Sequence, residues 1–126
     1  MSVELNHTIV CATDREKSAE FLAGILGLRT EPVAGPFVPV RLANGVTLDY
    51  LQVDRVTSQH YAFLVGEADF DAIYGKISAR GMEHWADPRG ARPGQINHND
   101  GGRGVYFRDP AGHYLEILTR PYGSGG

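Results

Sequence analysis

The chain has 126 residues, which is the size of one ordinary domain with a single modest hydrophobic core. Hydrophobic residues make up 42% and charged residues 21%, a balance that excludes disordered and fibrous proteins. The net charge of -3 and the single cysteine exclude a basic nucleic-acid surface and a disulfide framework. The residues show neither an apolar run that could cross a bilayer nor a targeting segment, so we expect a cytoplasmic protein without nucleic-acid or membrane partners.

The first half of the chain predicts a strand, a helix and a hairpin in that order. Residues 3–12 favour a strand, and the capping box at 13–16 predicts the helix that follows it. Gly27 predicts the left-handed end of this helix. The turn Asn44-Gly45 separates two β-like runs, which is typical of a hairpin.

The second half repeats this order of elements. A strand at residues 60–65 precedes a helix that is predicted from Asp69 to Gly81. Two further β-like runs, at 104–108 and 113–119, predict a last hairpin. One half alone has too few elements to bury both faces of its small sheet, so we expect the two halves to share a core. The sequence therefore predicts an α+β fold made of two βαβββ modules.

We interpret both modules as parts of a single domain that covers residues 1–126. The first module spans about residues 1–54 and the second about residues 59–122. The glycine-rich tail at 123–126 is expected to be disordered. The long loop at 86–103 is dense in Gly, Pro, Asn and Arg, and loops of this length usually have a function.

Four side chains stand at equivalent positions of the two halves. They are His7 and His60 on the first strands, and Asp49 and Glu116 on the last strands. Each shares its strand face with apolar residues, because side chains two positions apart point the same way. A bare carboxylate among such neighbours is costly, so a cation that binds the four groups is expected. Imidazole and carboxylate ligands suit one divalent ion, which is Fe, Mn, Ni, Co or Zn.

Three short segments carry a recognisable signature: NHTIV at 6–10, QHYAF at 59–63 and YFRDPAGHYLE at 106–116. They resemble the vicinal oxygen chelate superfamily, which includes glyoxalase I, bleomycin-resistance proteins, fosfomycin-resistance enzymes and extradiol dioxygenases. The resemblance covers nearly the whole chain. It implies that the two modules form a curved mixed sheet of half-barrels around a metal cavity, with the helices on the outer face.

The resemblance also assigns roles to the four side chains. It implies that His7, His60 and Glu116 are the metal ligands, and Asp49 occupies the place of a fourth carboxylate ligand that some members use. Asp49 is alternatively the base that moves a proton. The resemblance further implies a homodimer, in many members with modules exchanged between chains.

Other side chains are candidates for catalysis and substrate binding. Tyr106 stands ten residues before Glu116, as a tyrosine of extradiol dioxygenases does, and with His98 it is predicted to act as a hydrogen-bonding or acid–base partner. The predicted substrate-binding residues are Arg41, Asn97, Arg103 and Tyr61. His84 and His113 are predicted to be surface residues.

The expected function is that of a divalent-metal-dependent enzyme that acts on a small molecule chelating through adjacent oxygens. Two reaction types stay open, an isomerase or lyase of the glyoxalase type and a ring-cleaving dioxygenase. Thiol transfer of the fosfomycin-resistance type is less favoured, because Ile9 replaces a threonine of that branch. The alternative is a non-catalytic drug-binding protein of the bleomycin-resistance type, which does not require the complete set of ligands.

Overall fold

The computed structural model describes residues 2–125 and divides the chain into two compact units, Met1–Thr57 and Ser58–Gly126. The boundary falls where the sequence predicts the linker between the modules. Neither helix within the described residues has the length and apolar character that a membrane span requires.

The first unit consists of one helix and one small mixed sheet. Its elements are β1 (His7–Ala12), α1 (Arg15–Leu26), β2 (Phe37–Arg41) and β3 (Thr47–Gln52). β3 is the central strand, parallel to β1 and antiparallel to β2. The predicted hairpin between β2 and β3 is present, and Gly45 occupies its turn at φ 89°.

The limits of α1 follow from its capping residues. The carboxylate of Asp14 accepts a hydrogen bond from the backbone N–H of Lys17 at 3.1 Å, so Asp14 rather than Thr13 of the predicted capping box is the N-cap. Gly27 ends the helix in the left-handed conformation at φ 73°, as predicted.

One face of the first sheet is buried against α1. The buried side chains on strands and helix are Val10, Ala12, Val38, Val40, Leu48, Tyr50, Ala19, Leu22, Ala23 and Ile25. Because side chains alternate along a strand, the opposite face carries His7, Ile9 and Asp49. The helix therefore covers the face that the candidate ligands do not use.

The second unit contains the complete predicted βαβββ order. Its elements are β4 (His60–Leu64), α2 (Glu67–Ala79), β5 (His84–Trp85), β6 (Gly104–Arg108) and β7 (Tyr114–Leu118), with a 3-10 turn at Asn99–Gly101. The strands are ordered β4-β7-β6-β5, and only the β4–β7 pair is parallel. The first unit lacks a counterpart of β5 among its described strands. A single antiparallel bridge between Thr30 and Val40 takes the place of the β5–β6 pairing there. Two helices and two mixed sheets confirm the α+β class.

The turn between β6 and β7 buries a histidine that the sequence predicted to be at the surface. His113 is 1% exposed, so that prediction is wrong. Its backbone N–H donates to Asp109 at 2.8 Å, and its ring Nδ1 accepts the backbone N–H of Gln59 at 3.0 Å. The tight turn thus folds the ring inward and ties it to the residue before β4. His84 is half-buried and both its ring nitrogens have partners, so its prediction as a surface residue is also wrong.

Candidate metal centre

The second sheet gathers the candidate side chains on one face. Register partners in neighbouring strands point to the same side of a sheet. The row across β5, β6, β7 and β4 consists of Trp85, Tyr106, Glu116 and Ala62. The adjacent row on the same face consists of Arg108, Tyr114 and His60. The pleat therefore brings an imidazole, a carboxylate and a phenol together.

His60 and Glu116 are in direct contact. Nε2 of His60 lies 2.9 Å from Oε1 of Glu116, and its Nδ1 lies 3.1 Å from the carbonyl oxygen of Tyr114. A carbonyl only accepts, so Nδ1 carries a proton and donates it there. Nε2 then faces a carboxylate that is 1% exposed. This contact is favourable only if a proton or a metal ion lies between the two atoms.

This donor set fits a divalent metal. Metal-binding histidines usually donate their second ring N–H to a carbonyl or carboxylate, which is the contact that His60 makes. Nitrogen and oxygen ligands about 2.1 Å from one ion stand about 3 Å apart when they are neighbours in its coordination sphere. The spacing of 2.9 Å between Nε2 and Oε1 agrees with that arrangement. Within residues 2–125, no three His, Cys, Asp or Glu side chains form a group that could hold a metal, and the ligand roles of His60 and Glu116 stay predictions.

Two tyrosine hydroxyls continue the polar cluster. The hydroxyl of Tyr122 donates to Oε2 of Glu116 and lies 2.9 Å from the hydroxyl of Tyr106. The Tyr106 ring stacks on the His60 ring with 5.8 Å between centroids. Desolvation around the hydroxyl group is the main cause that raises the pKa of both phenols, and for Tyr122, which is otherwise exposed, the hydrogen bond to Glu116 adds to it. Both hydroxyls are therefore protonated at neutral pH, and since Tyr122 donates its proton to Glu116, Tyr106 donates to Tyr122.

Arg108 adds a positive charge to the same face. Its guanidinium carbon lies 5.5 Å from the ring centroid of Trp85 and 4.7 Å from that of Tyr114. It also donates to the Tyr114 hydroxyl. A guanidinium that contacts aromatic rings through its face keeps its N–H groups at the edge for oxyanions. The alternation of β6 places Arg108 on the same face of the sheet as Tyr106, two residues away along the strand.

His7 and Asp49 occupy the same strand positions in the first unit as His60 and Glu116 occupy in the second unit. In both parallel strand pairs, the carboxylate lies two residues beyond the register partner of the histidine. His7 is exposed, and its Nδ1 lies 2.8 Å from Oδ1 of Asn6. Asp49 is half-buried. The ligand roles of His7 and Asp49 stay predictions.

Two predicted substrate-binding residues are engaged in holding the long loop. Asn97 is buried, donates from Nδ2 to the carbonyl oxygen of Ala86 at 2.8 Å and accepts the backbone N–H of Asn99. Arg103 donates to Glu67 at 2.9 Å and to Asp71 at 2.8 Å, both on α2. These contacts give both side chains a structural role, and their substrate roles stay predictions.

The other predicted site residues lie at the surface or on the sheets. His98 is exposed at the start of the 3-10 turn, and Arg41 donates to Glu31 at 3.2 Å. Tyr61 is half-buried, with its ring edge-on to His113 at 5.4 Å between centroids. Tyr122 was missed by sequence reasoning because it follows Pro121 outside any strand, where no periodicity marks it.

Comparisons with known proteins relate the chain to metal-dependent enzymes and oxidases. No protein-family model matches the chain. The solved structure of oxidase ChaP-H2 is 64% identical, covers 100% of both chains and superposes with a TM-score of 0.97. Glutathione transferase FosA of Serratia marcescens is 27% identical over 93% of this chain and 81% of its own length. The fosfomycin resistance protein FosX of Listeria monocytogenes, solved with Mn(II), shares the fold at 21% identity over 99% of this chain and 96% of its own, with a TM-score of 0.74.

Proposed function

The chain belongs to the vicinal oxygen chelate superfamily, and on that premise we propose that it is a divalent-metal-dependent enzyme that oxidises a small molecule chelating through adjacent oxygens. The observation that carries this proposal is the contact between Nε2 of His60 and Oε1 of Glu116, in which the second ring nitrogen is already bound to a carbonyl. The 64% identity to oxidase ChaP-H2 favours oxidation over the other reactions of the superfamily.

The proposed ligands come from equivalent strand positions. His60 and Glu116 are proposed as two ligands, and His7 as the third, since it has the register position of His60 in its own unit. Asp49 is the fourth ligand or a base. When bound, a divalent ion supplies Lewis-acid polarisation of two adjacent substrate oxygens, and iron or manganese adds one-electron chemistry. The predicted homodimer and cytoplasmic location stay predictions.

The remaining side chains of the face bind and orient the substrate. Tyr106 donates its proton to the Tyr122 hydroxyl, because Tyr122 donates its own to Glu116, so a lone pair of Tyr106 accepts a hydrogen bond from a substrate hydroxyl. The guanidinium of Arg108, which contacts Trp85 and Tyr114, suits a planar substrate that carries a negatively charged oxygen. A planar aromatic molecule with adjacent oxygens, one of them a hydroxyl, satisfies both contacts.

Proton transfer without oxidation is the second candidate. The hydroxyls of Tyr106 and Tyr122 and the carboxylate of Glu116 form a continuous hydrogen-bonded chain. Such a chain moves a proton between substrate and protein without a change of oxidation state, as an isomerase or lyase requires.

Elemental analysis of protein purified without chelator or affinity metal tests the proposal. We expect about one divalent ion per chain in the wild type and in Asp54→Asn, an exposed carboxylate control, and none in Glu116→Gln or His60→Ala. A wild type that stays free of Fe, Mn, Ni, Co and Zn after reconstitution, and still binds a large aromatic drug, contradicts the proposal and supports drug sequestration.

Oxygen-electrode measurements with catechols and related planar diols separate the two reaction types. Consumption of oxygen that depends on both metal and substrate supports oxidation. Substrate turnover under argon at the aerobic rate supports the isomerase or lyase reaction instead.

A further inference from the structure

Each carboxylate oxygen of Glu116 has a separate partner. Oε1 faces Nε2 of His60 at 2.9 Å, and Oε2 accepts the hydroxyl of Tyr122. The side chain of Glu116 is 1% exposed, so water does not supply competing partners. Bonding on both sides selects one orientation of the carboxylate and directs Oε1 towards the imidazole.

The position of Tyr122 is set by hydrogen bonds rather than by packing. Tyr122 is 60% exposed, in contrast to a core tyrosine such as Tyr50. The tail that carries it attaches to the long loop, because the backbone N–H groups of Gly123 and Gly125 donate to Oδ1 of Asp100 at 3.1 and 3.3 Å. Residue 126 lies outside the described residues, and the predicted disorder of the tail at 123–126 stays a prediction. Asp100 itself has a positive φ of 57°, in the left-handed region that Asp tolerates better than most residues.

We propose that Tyr122 is a positioning residue of the metal centre, whose hydroxyl orients the Glu116 carboxylate so that Oε1 and Nε2 of His60 face the same ion. The inference rests on the proposed function, since it takes Glu116 to be a ligand. Because the tail is attached to Asp100, the long loop helps to hold Tyr122 in place. The loop thus supports the metal site through Tyr122, without contact between Asp100 and the metal. Outer partners of this kind typically change metal affinity by about 10- to 100-fold.

Titration with Co(II), followed by visible absorption in the presence of a competing chelator, tests this role. We expect Tyr122→Phe to bind Co(II) at least about tenfold more weakly than the wild type, with an altered spectrum. The matched control is Tyr74→Phe, which removes a tyrosine hydroxyl bonded to His84 in the same unit and is expected to keep wild-type affinity. Asp100→Ala, which releases the tail, is expected to weaken binding in the same direction.

The melting temperature in EDTA separates positioning from a structural role. Tyr122→Phe is expected to melt a few degrees lower, because the buried Oε2 of Glu116 loses its donor, and to be fully folded at the temperature of the Co(II) titration, so that weaker binding reports positioning and not unfolding. Wild-type affinity and spectrum in Tyr122→Phe overturn this inference alone, and so does tighter binding. Failure of the wild type to bind Co(II), Fe(II) or Mn(II) overturns the proposed function and this inference with it.

Discussion

The carboxylate of Glu116 is almost fully buried, and its neighbours compensate for that burial with an imidazole on one side and a phenol on the other. Strand alternation and the repeat of the two halves were enough to predict Glu116 and His60, because both signals lie in the local sequence. Neither signal reaches Tyr122, whose contact with Glu116 depends on how the tail returns to the sheet.

Two substitutions at this contact are expected to differ in their cost to the metal-free protein. His60→Ala leaves a buried carboxylate oxygen without its partner and is expected to lower the free energy of unfolding by about 1 to 3 kcal/mol. Glu116→Gln keeps an uncharged acceptor for the Tyr122 hydroxyl and is expected to cost less than about 1 kcal/mol. Urea unfolding in EDTA measures both values. Equal losses would contradict the interpretation of Glu116 as a buried, compensated charge.

At the scale of elements, the long loop at 86–103 is organised by short polar side chains that bond to its backbone. The carboxylate of Asp87 accepts the backbone N–H groups of Ala91, Arg92 and Arg89 at 3.0, 2.8 and 3.2 Å. The sequence predicted a functional loop from its length and its content of Gly, Pro, Asn and Arg. In the structure, Asn97 and Asp100 bind the loop and the tail, since Asn and Asp side chains readily bond to nearby backbone groups.

Acid is expected to loosen this loop before the rest of the chain. Hydrogen bonds from the backbone, first that of Ala91, hold the pKa of Asp87 below its ordinary value. A lowered folded-state pKa means that these bonds contribute fully above about pH 4 and are lost as the pH falls through the lower value. The single tryptophan, Trp85, reports this change, because Gly90 of the loop packs against its indole ring. The packing is so close that a Cβ at Gly90 would lie 3.2 Å from Nε1 of Trp85.

The measurement is Trp85 fluorescence during acid titration, with far-UV circular dichroism as a check on the fold. The wild type and Asp54→Asn are expected to change emission only below about pH 4, whereas Asp87→Ala is expected to show the altered emission already at pH 7. A wild-type midpoint near pH 6, or normal emission of Asp87→Ala at pH 7, would contradict the role given to Asp87.

The whole molecule contains the same histidine and carboxylate positions in each of two units. A metal that binds only the folded chain stabilises it by an amount that depends on its concentration relative to Kd. Metal-dependent stability therefore reports how many of the predicted ligands take part, including those whose roles stay predictions.

Thermal unfolding with and without metal tests His7 and Asp49. At a metal concentration of 100 times Kd, the wild type is expected to gain about 2.7 kcal/mol, or about 10 °C in Tm. His7→Ala is expected to lose most of this gain, and Asp54→Asn to keep it. If Asp49 is a ligand, Asp49→Asn loses the gain as well; if it is a base, this variant keeps the gain and loses turnover. An undiminished gain in His7→Ala would remove His7 from the ligand set.

The amino-acid sequence by itself determined the α+β class, the two halves, most element positions and the equivalent placement of the histidines and carboxylates. These properties follow from apolar periodicity, capping residues and turn glycines, which act over a few neighbouring residues. Only the tertiary structure decided that His113 is buried, that Arg103 binds α2 and that Tyr122 reaches Glu116. Each of these contacts joins segments that are distant along the chain or lie outside regular elements. Their partners are selected by the packed geometry, and no local pattern encodes that choice.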